Sequence, residues 1–293
     1  MKTTHYIIAA ALAAAVSCNK NATTPFSPAP SQDSMAEITF LAGGAFEASV
    51  ETRTTAVTSL NASGFYAAAT SVGNTEEYLW GPNIFTLNNG KFSGGRYWPV
   101  SQTSTRFFAC NVPGMSFSNG KWKLEVSNTN TDIVAASIQN PVWKSVNTFH
   151  FNHIFARIGM CDVIEPSGFA GDNLSVTISP KTSGTYSISD STWVQTGNPG
   201  NAIQLATEFG DDTDYDVYLV PGVYTINASY TLSKGEGAGC YVEEVNATAT
   251  IELKMGVVNN IIGIIPPGDA SSIEFSVSVN PWVEEDIDAM FEP

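Results

Sequence analysis

From Ile38 onward, apolar and polar residues alternate at period two along most of this chain. Leu174, Val176 and Ile178 alternate with Ser and Thr, and Tyr224, Ile226, Ala228, Tyr230 and Leu232 alternate with Thr225, Asn227, Ser229 and Thr231. The same rhythm runs from Ala247 to Met255 and from Ile273 to Val279. Successive strand side chains point to opposite faces, so each run offers one face to a core and one to water, as in antiparallel sandwiches. Turn clusters (GPN, NNGK, SNGK, PSG and PPGD) break the runs at short intervals, and long helical patterns are absent. Near the amino end, Ile38 and Phe40 alternate with Glu37 and Thr39, which predicts a first strand. The chain reads as all-β.

With 293 residues the chain is long for one domain, and two of ordinary size are the better reading. Residues 128–148 look loop-like, so the folded part divides into 36–148 and 149–293, each long enough for a sandwich of about seven strands. Residues 18–35 are rich in Pro, Ser, Thr and Asn and read as an extended, solvated tether. Hydrophobic residues make up 43% of the chain, enough to build real cores. Thirteen basic against 28 acidic side chains exclude a nucleic-acid surface, which needs clustered Lys and Arg.

The amino end carries a different signal. Lys2 precedes an eleven-residue apolar run, Tyr6 to Val16, closed by Ser17. That is the layout of a secretory signal over residues 1–17, too short to span a bilayer. Cys18 follows directly, and Ala15-Val16-Ser17-Cys18 resembles the lipobox of bacterial lipoproteins, in which the thiol is acylated and becomes the new amino terminus. An ordinary secretory signal that happens to contain a cysteine is the alternative. Loss of residues 1–17 removes Lys2 and shifts the formal charge from −15 to −16. Cys110, Cys161 and Cys240 then remain, with no CxxC pair, either as buried free thiols or with one disulfide among them.

Several segments together resemble the fimbrillin-like lipoproteins of Gram-negative anaerobes. FHFNHIFARIGM, residues 149–160, matches that family's Phe-x-His-x-hydrophobic-Ala-Arg strand through Phe151, His153, Ile154, Ala156 and Arg157. VETRTT at 50–55, YWPVSQTSTRFFACNVP at 97–113, VPGVYTI at 220–226 and IEFSVSVNPWVEED at 273–286 also fit, in the family's order. The resemblance implies two tandem transthyretin-like antiparallel β-sandwich domains. It implies a stalk, anchor or tip subunit of adhesive fimbriae, lipid-anchored to the outer membrane and partnered by other subunits and by a host or bacterial surface ligand. In stalk members a protease cuts after an arginine following the first strand, and a neighbour's strand fills the vacated groove; the matching arginine is Arg53. His153 and Arg157 are carried over as structural motif residues. The tail from Val283 to Pro293 is acidic with few alternating apolar positions, a poor groove-filling strand, which points to a tip or accessory subunit.

Catalytic and metal chemistry have thin support, and no cofactor is expected. His150 and His153 point to opposite strand faces, so joint ligation is awkward, and His153 reads as a packed histidine hydrogen-bonded to backbone. G-x-S-x-G and H-E-x-x-H are absent. Asp212-x-Asp214-x-Asp216 resembles half of a calcium loop without its glycine and terminal glutamate. The tryptophans (Trp80, Trp98, Trp122, Trp143, Trp193 and Trp282) offer a second function, a glycan-stacking platform, against the plainer reading that most are core packing.

Overall fold

A computed structural model describes residues 35–44, 64–72, 76–99, 104–127, 131–211, 214–234, 241–266 and 272–282. Contacts separate Met1–Met35 from a second unit, Ala36–Pro293. Cys18, Arg53, Asp212, Cys240 and the tail after Trp282 lie outside the described residues, as do the side chains of Asp214 and Asp216.

The described part of the chain forms strands and no helix. The strands, in chain order, are β1 (Glu37–Gly44), β2 (Phe65–Val72), β3 (Glu76–Asn88), β4 (Lys91–Tyr97), β5 (Thr105–Cys110), β6 (Met115–Ser118), β7 (Lys121–Ser127), β8 (Val134–Ile138) and β9 (Asn147–His153). They continue as β10 (Ala156–Ile164), β11 (Ala170–Ile178), β12 (Lys181–Ser187), β13 (Thr192–Pro199), β14 (Ile203–Ala206), β15 (Asp214–Leu219), β16 (Gly222–Lys234), β17 (Tyr241–Leu253), β18 (Val257–Ile264) and β19 (Glu274–Pro281). The all-β reading holds, and the alternating runs fall on β11, β16, β17 and β19. The third of these runs stops early: β17 ends at Leu253, because Gly256 turns the chain with φ of +69°.

Seven strands close into a barrel in the order β1-β4-β3-β2-β5-β8-β9. Its core is a cluster of phenylalanines (Phe40, Phe65, Phe85, Phe107, Phe149 and Phe151) with Ile38 and Trp98. Two four-stranded sheets, β15-β10-β18-β19 and β14-β11-β16-β17, face each other over a second core that includes Val163, Val176, Ile226, Ile251 and Ile261. A fourth sheet, β13-β12-β7-β6, joins strands from before and after the barrel's last strand. Under it lies a third core drawn from both parts of the chain, with Trp122, Leu124, Phe155, Tyr186, Val220 and Trp282.

Residue 148 falls inside β9, which completes the barrel and leads through Ile154 and Phe155 into β10. Most pairings are antiparallel, but β1–β9 and β10–β18 are parallel. These two parallel pairs carry a repeated device. The Asn147 side chain accepts from Val142 N (2.7 Å) and donates to Val142 O (3.1 Å) and Ser145 O (3.0 Å). The Asn259 side chain accepts from Lys254 N (2.8 Å) and donates to Lys254 O and Val257 O, both at 3.1 Å. In each case one buried amide pairs with backbone groups at both ends of the turn entering a parallel strand, which fixes the shape of that turn. Asn147 lies opposite Phe40 and Asn259 opposite Ile158. β1 with β9 and β10 with β18 are thus equivalent pairs, one in each half of the fold.

Candidate functional site

β1 is the element on which the sequence reading turns. It lies between β4, antiparallel through Glu37↔Tyr97 and Phe40↔Phe92, and β9, parallel from Phe40↔Asn147 to Gly44↔Phe151. Trp98 N donates to Ala36 O at 2.9 Å, tying the start of the strand to the end of β4. Ile38 and Phe40 point into the barrel and are fully enclosed, whereas Leu41 is 42% exposed. The Phe40 ring meets Phe149 at 4.6 Å, Phe107 at 5.1 Å, Phe85 at 5.2 Å and Phe65 at 6.2 Å between centroids. Edge-to-face and tilted geometries of this kind add to the area buried. Withdrawal of β1 would leave two unpaired strand edges and a trough lined by aromatic rings. Residues 45–63, with Arg53 among them, are the covalent link between β1 and the rest of the barrel.

His153 and Arg157 flank the passage from barrel to sandwich. His153 Nδ1 lies 2.5 Å from Asp132 Oδ2, with side chains 3% and 0% exposed. The partner is therefore a carboxylate and not the backbone oxygen expected from the sequence. Asp132 escaped sequence reading because a lone acid before a strand carries no periodic signal. Trp282, just past β19, stacks on His153 with centroids 3.8 Å apart and planes within 4°, and runs parallel to Tyr218 at 5.4 Å. The Arg157 guanidinium lies 5.8 Å from the Trp282 ring centre, within cation–π range. Asp132, His153 and Trp282 are buried and Arg157 is half-buried, an arrangement suited to fastening the end of β19. His150 faces outward on the same strand.

Cys110 and Cys161 are free, buried thiols in separate cores. Burial pushes each up to about 12, so both stay protonated at physiological pH. Among the described residues no three His, Cys, Asp or Glu side chains converge as a metal site. None of the six tryptophans is exposed: Trp98, Trp122 and Trp282 are buried and Trp80, Trp143 and Trp193 are half-buried. No tryptophan therefore lies open on a sheet face. The tryptophans mostly pack, as the plainer sequence reading has it.

A profile of the family described as fimbrillin-like matches residues 49–282, and the chain belongs to that family. Among solved structures, a candidate cell adhesion protein from Bacteroides ovatus superposes with a TM-score of 0.51 at 12% identity, covering 86% of this chain and 99% of that one. One from Bacteroides uniformis gives a TM-score of 0.48 at 14% identity, covering 85% and 100%. A fimbrial assembly protein from Parabacteroides distasonis gives 0.35 at 10%, covering 83% and 98%. The Bacteroides ovatus likeness is one of fold. No curated protein matches the chain.

Proposed function

We propose that this chain is a surface subunit of adhesive fimbriae, made as a lipid-anchored precursor and assembled by replacement of β1 with a strand from a neighbouring subunit. Cys18 carries the acyl anchor to the outer membrane, the tether through residue 35 spans away from the lipid, and two tandem transthyretin-like domains follow. Cleavage after Arg53 releases the anchor together with β1, and a strand from a neighbouring subunit takes its place beside β9 and β4. The role served is cell adhesion, with a host or bacterial surface ligand as the outer partner.

The observation that carries this reading is the place of β1. It is a full member of the barrel, yet a single cut within residues 45–63 detaches it covalently. Its replacement by another strand restores both the hydrogen-bond ladder and the aromatic plug, which is the logic of β-augmentation.

The test treats native full-length protein with a trypsin-like protease and follows the products by amino-terminal sequencing and gel electrophoresis. The expected result is a first cut after Arg53, then ladders of cut protein that survive detergent. Cutting confined to other sites, or cut protein that stays monomeric when β1 has left, overturns the proposal.

A further inference from the structure

The barrel carries a cleft of about 410 Å³ that strand exchange does not use. Its walls come from four separate elements: Val72 at the end of β2, Trp98 after β4, Ser104 and Arg106 around the start of β5, and Gln139, Asn140 and Trp143 in the β8–β9 connection. Trp98 is buried, Arg106 and Trp143 are half-buried, and Ser104, Gln139 and Asn140 form an exposed polar rim. The volume falls within the range of small-ligand sites, and the lining is mostly polar, which suits a hydroxyl-bearing ligand.

The loop that supplies Trp143 is braced by hydrogen bonds. The Asn147 amide holds Val142 and Ser145, and Ser145 N also donates to Val142 O at 3.2 Å. Lys144 adopts φ of +56°, a conformation unfavourable for a side-chain-bearing residue. At the equivalent place in the other half stands Gly256, which takes φ of +69° freely. The first half thus retains a lysine where its counterpart has glycine, and that lysine lays its ammonium 4.4 Å from the centre of the Trp143 ring. Strain kept in a braced loop is a frequent mark of a binding site. Lys144 and Arg106 also bring two positive charges to one region of a chain whose formal charge is −15.

We propose that this cleft binds the terminal sugar of a glycan, one that bears a carboxylate. A sugar ring has an apolar C–H face to lie on indole and hydroxyls to pair with the Gln139 and Asn140 amides and the Ser104 hydroxyl. The carboxylate meets the guanidinium of Arg106, with Lys144 adding to the local field. Gln139 Nε2 donates to Ser137 Oγ at 3.1 Å, which holds that amide in place at the rim. The site gives the adhesive role above a ligand class, and it stands in the uncleaved monomer without any strand exchange.

Uncleaved full-length protein is titrated by calorimetry or by nuclear magnetic resonance with sialyllactose, with a glucuronate-terminated disaccharide, and with lactose as the neutral control. At least one acidic saccharide should bind ten-fold or more tighter than lactose. Trp143→Ala should weaken that binding at least ten-fold, Trp143→Phe should recover part of it, and Arg106→Gln should bring acidic and neutral sugars level. Asn140→Ala, on the exposed rim, should weaken binding with an unchanged melting temperature, which separates loss of the site from loss of the fold. No binding by any of the three at millimolar concentration, equal binding to lactose, or binding that survives Trp143→Ala each overturn the proposal. Assembly after cleavage at Arg53 is read separately, so either idea can fail without the other.

Discussion

Phe40→Ala is the substitution that most directly probes what β1 does for the barrel. The ring is wholly enclosed, with four other phenylalanines within 6.2 Å between centroids. Truncating such a side chain costs about 3–5 kcal/mol through lost transfer energy and the cavity left behind. That is a large share of the roughly 5–15 kcal/mol that holds a domain folded. In a urea titration followed by tryptophan fluorescence, the midpoint should fall by about 1–2 M with little change in slope. Leu41→Ala is the internal control: its neighbour on the same strand points outward, and the change should stay within about 0.5 kcal/mol. Hydrogen exchange should show β4 and β9 amides losing protection together in Phe40→Ala, since those strands share their ladders with β1. If the two variants unfold alike, β1 is not a working part of the barrel, and the reasoning that makes it an exchangeable plug is refuted.

Asp190 gives a pH signature across the joining sheet. Burial raises its carboxyl, but hydrogen bonds led by that from Lys121 outweigh this and hold it at about 2. A carboxyl lowered by folding stabilises above its unfolded value and loses that contribution as pH falls from about 4 to about 2. Both side chains of the Lys121–Asp190 pair are well exposed, so the gain stays below about 1 kcal/mol. The stability difference between wild type and Asp190→Asn should vanish by the lower pH, and a difference that grows on acidification refutes the assignment. Asp132→Ala leaves buried His153 without its carboxylate and should cost about 1–3 kcal/mol in urea, with altered fluorescence from Trp282; an unchanged midpoint counts against the buried pair. Cys110 and Cys161 should react with a thiol reagent at pH 8 only after denaturation, as judged by peptide mass mapping, and immediate labelling of either in native protein contradicts their burial.

Periodicity reveals which face of a segment is apolar, and that made the strands legible: Ile38 and Phe40 do point inward, and so do Tyr224 through Leu232 along β16. It does not reveal which strand lies beside which. The parallel registers of β1 on β9 and β10 on β18 join segments far apart in the chain, and nothing local encodes them. β8 escaped notice inside the apparent loop at 128–148 because Val134, Ala135 and Ala136 are all buried, which erases alternation. The matching roles of Asn147 and Asn259 were hidden for a different reason. Each acts through backbone groups two and five residues earlier, and the flanking side chains differ freely. The cleft around Trp143 could not be read at all, since its walls are assembled from four stretches distant in the chain.

The fourth sheet has a mechanical consequence. β7 and β12 pair antiparallel from Ser127↔Ser183 to Lys123↔Ser187, and Trp193 Nε1 reaches Ile154 O at 2.7 Å across the same region. A pull on the two ends of the folded chain cannot bend it at residues 154–155 like a string of beads, because that ladder must shear first. Tension is instead passed from barrel to sandwich through hydrogen bonds loaded side by side, so the chain bears stress as one stiff link.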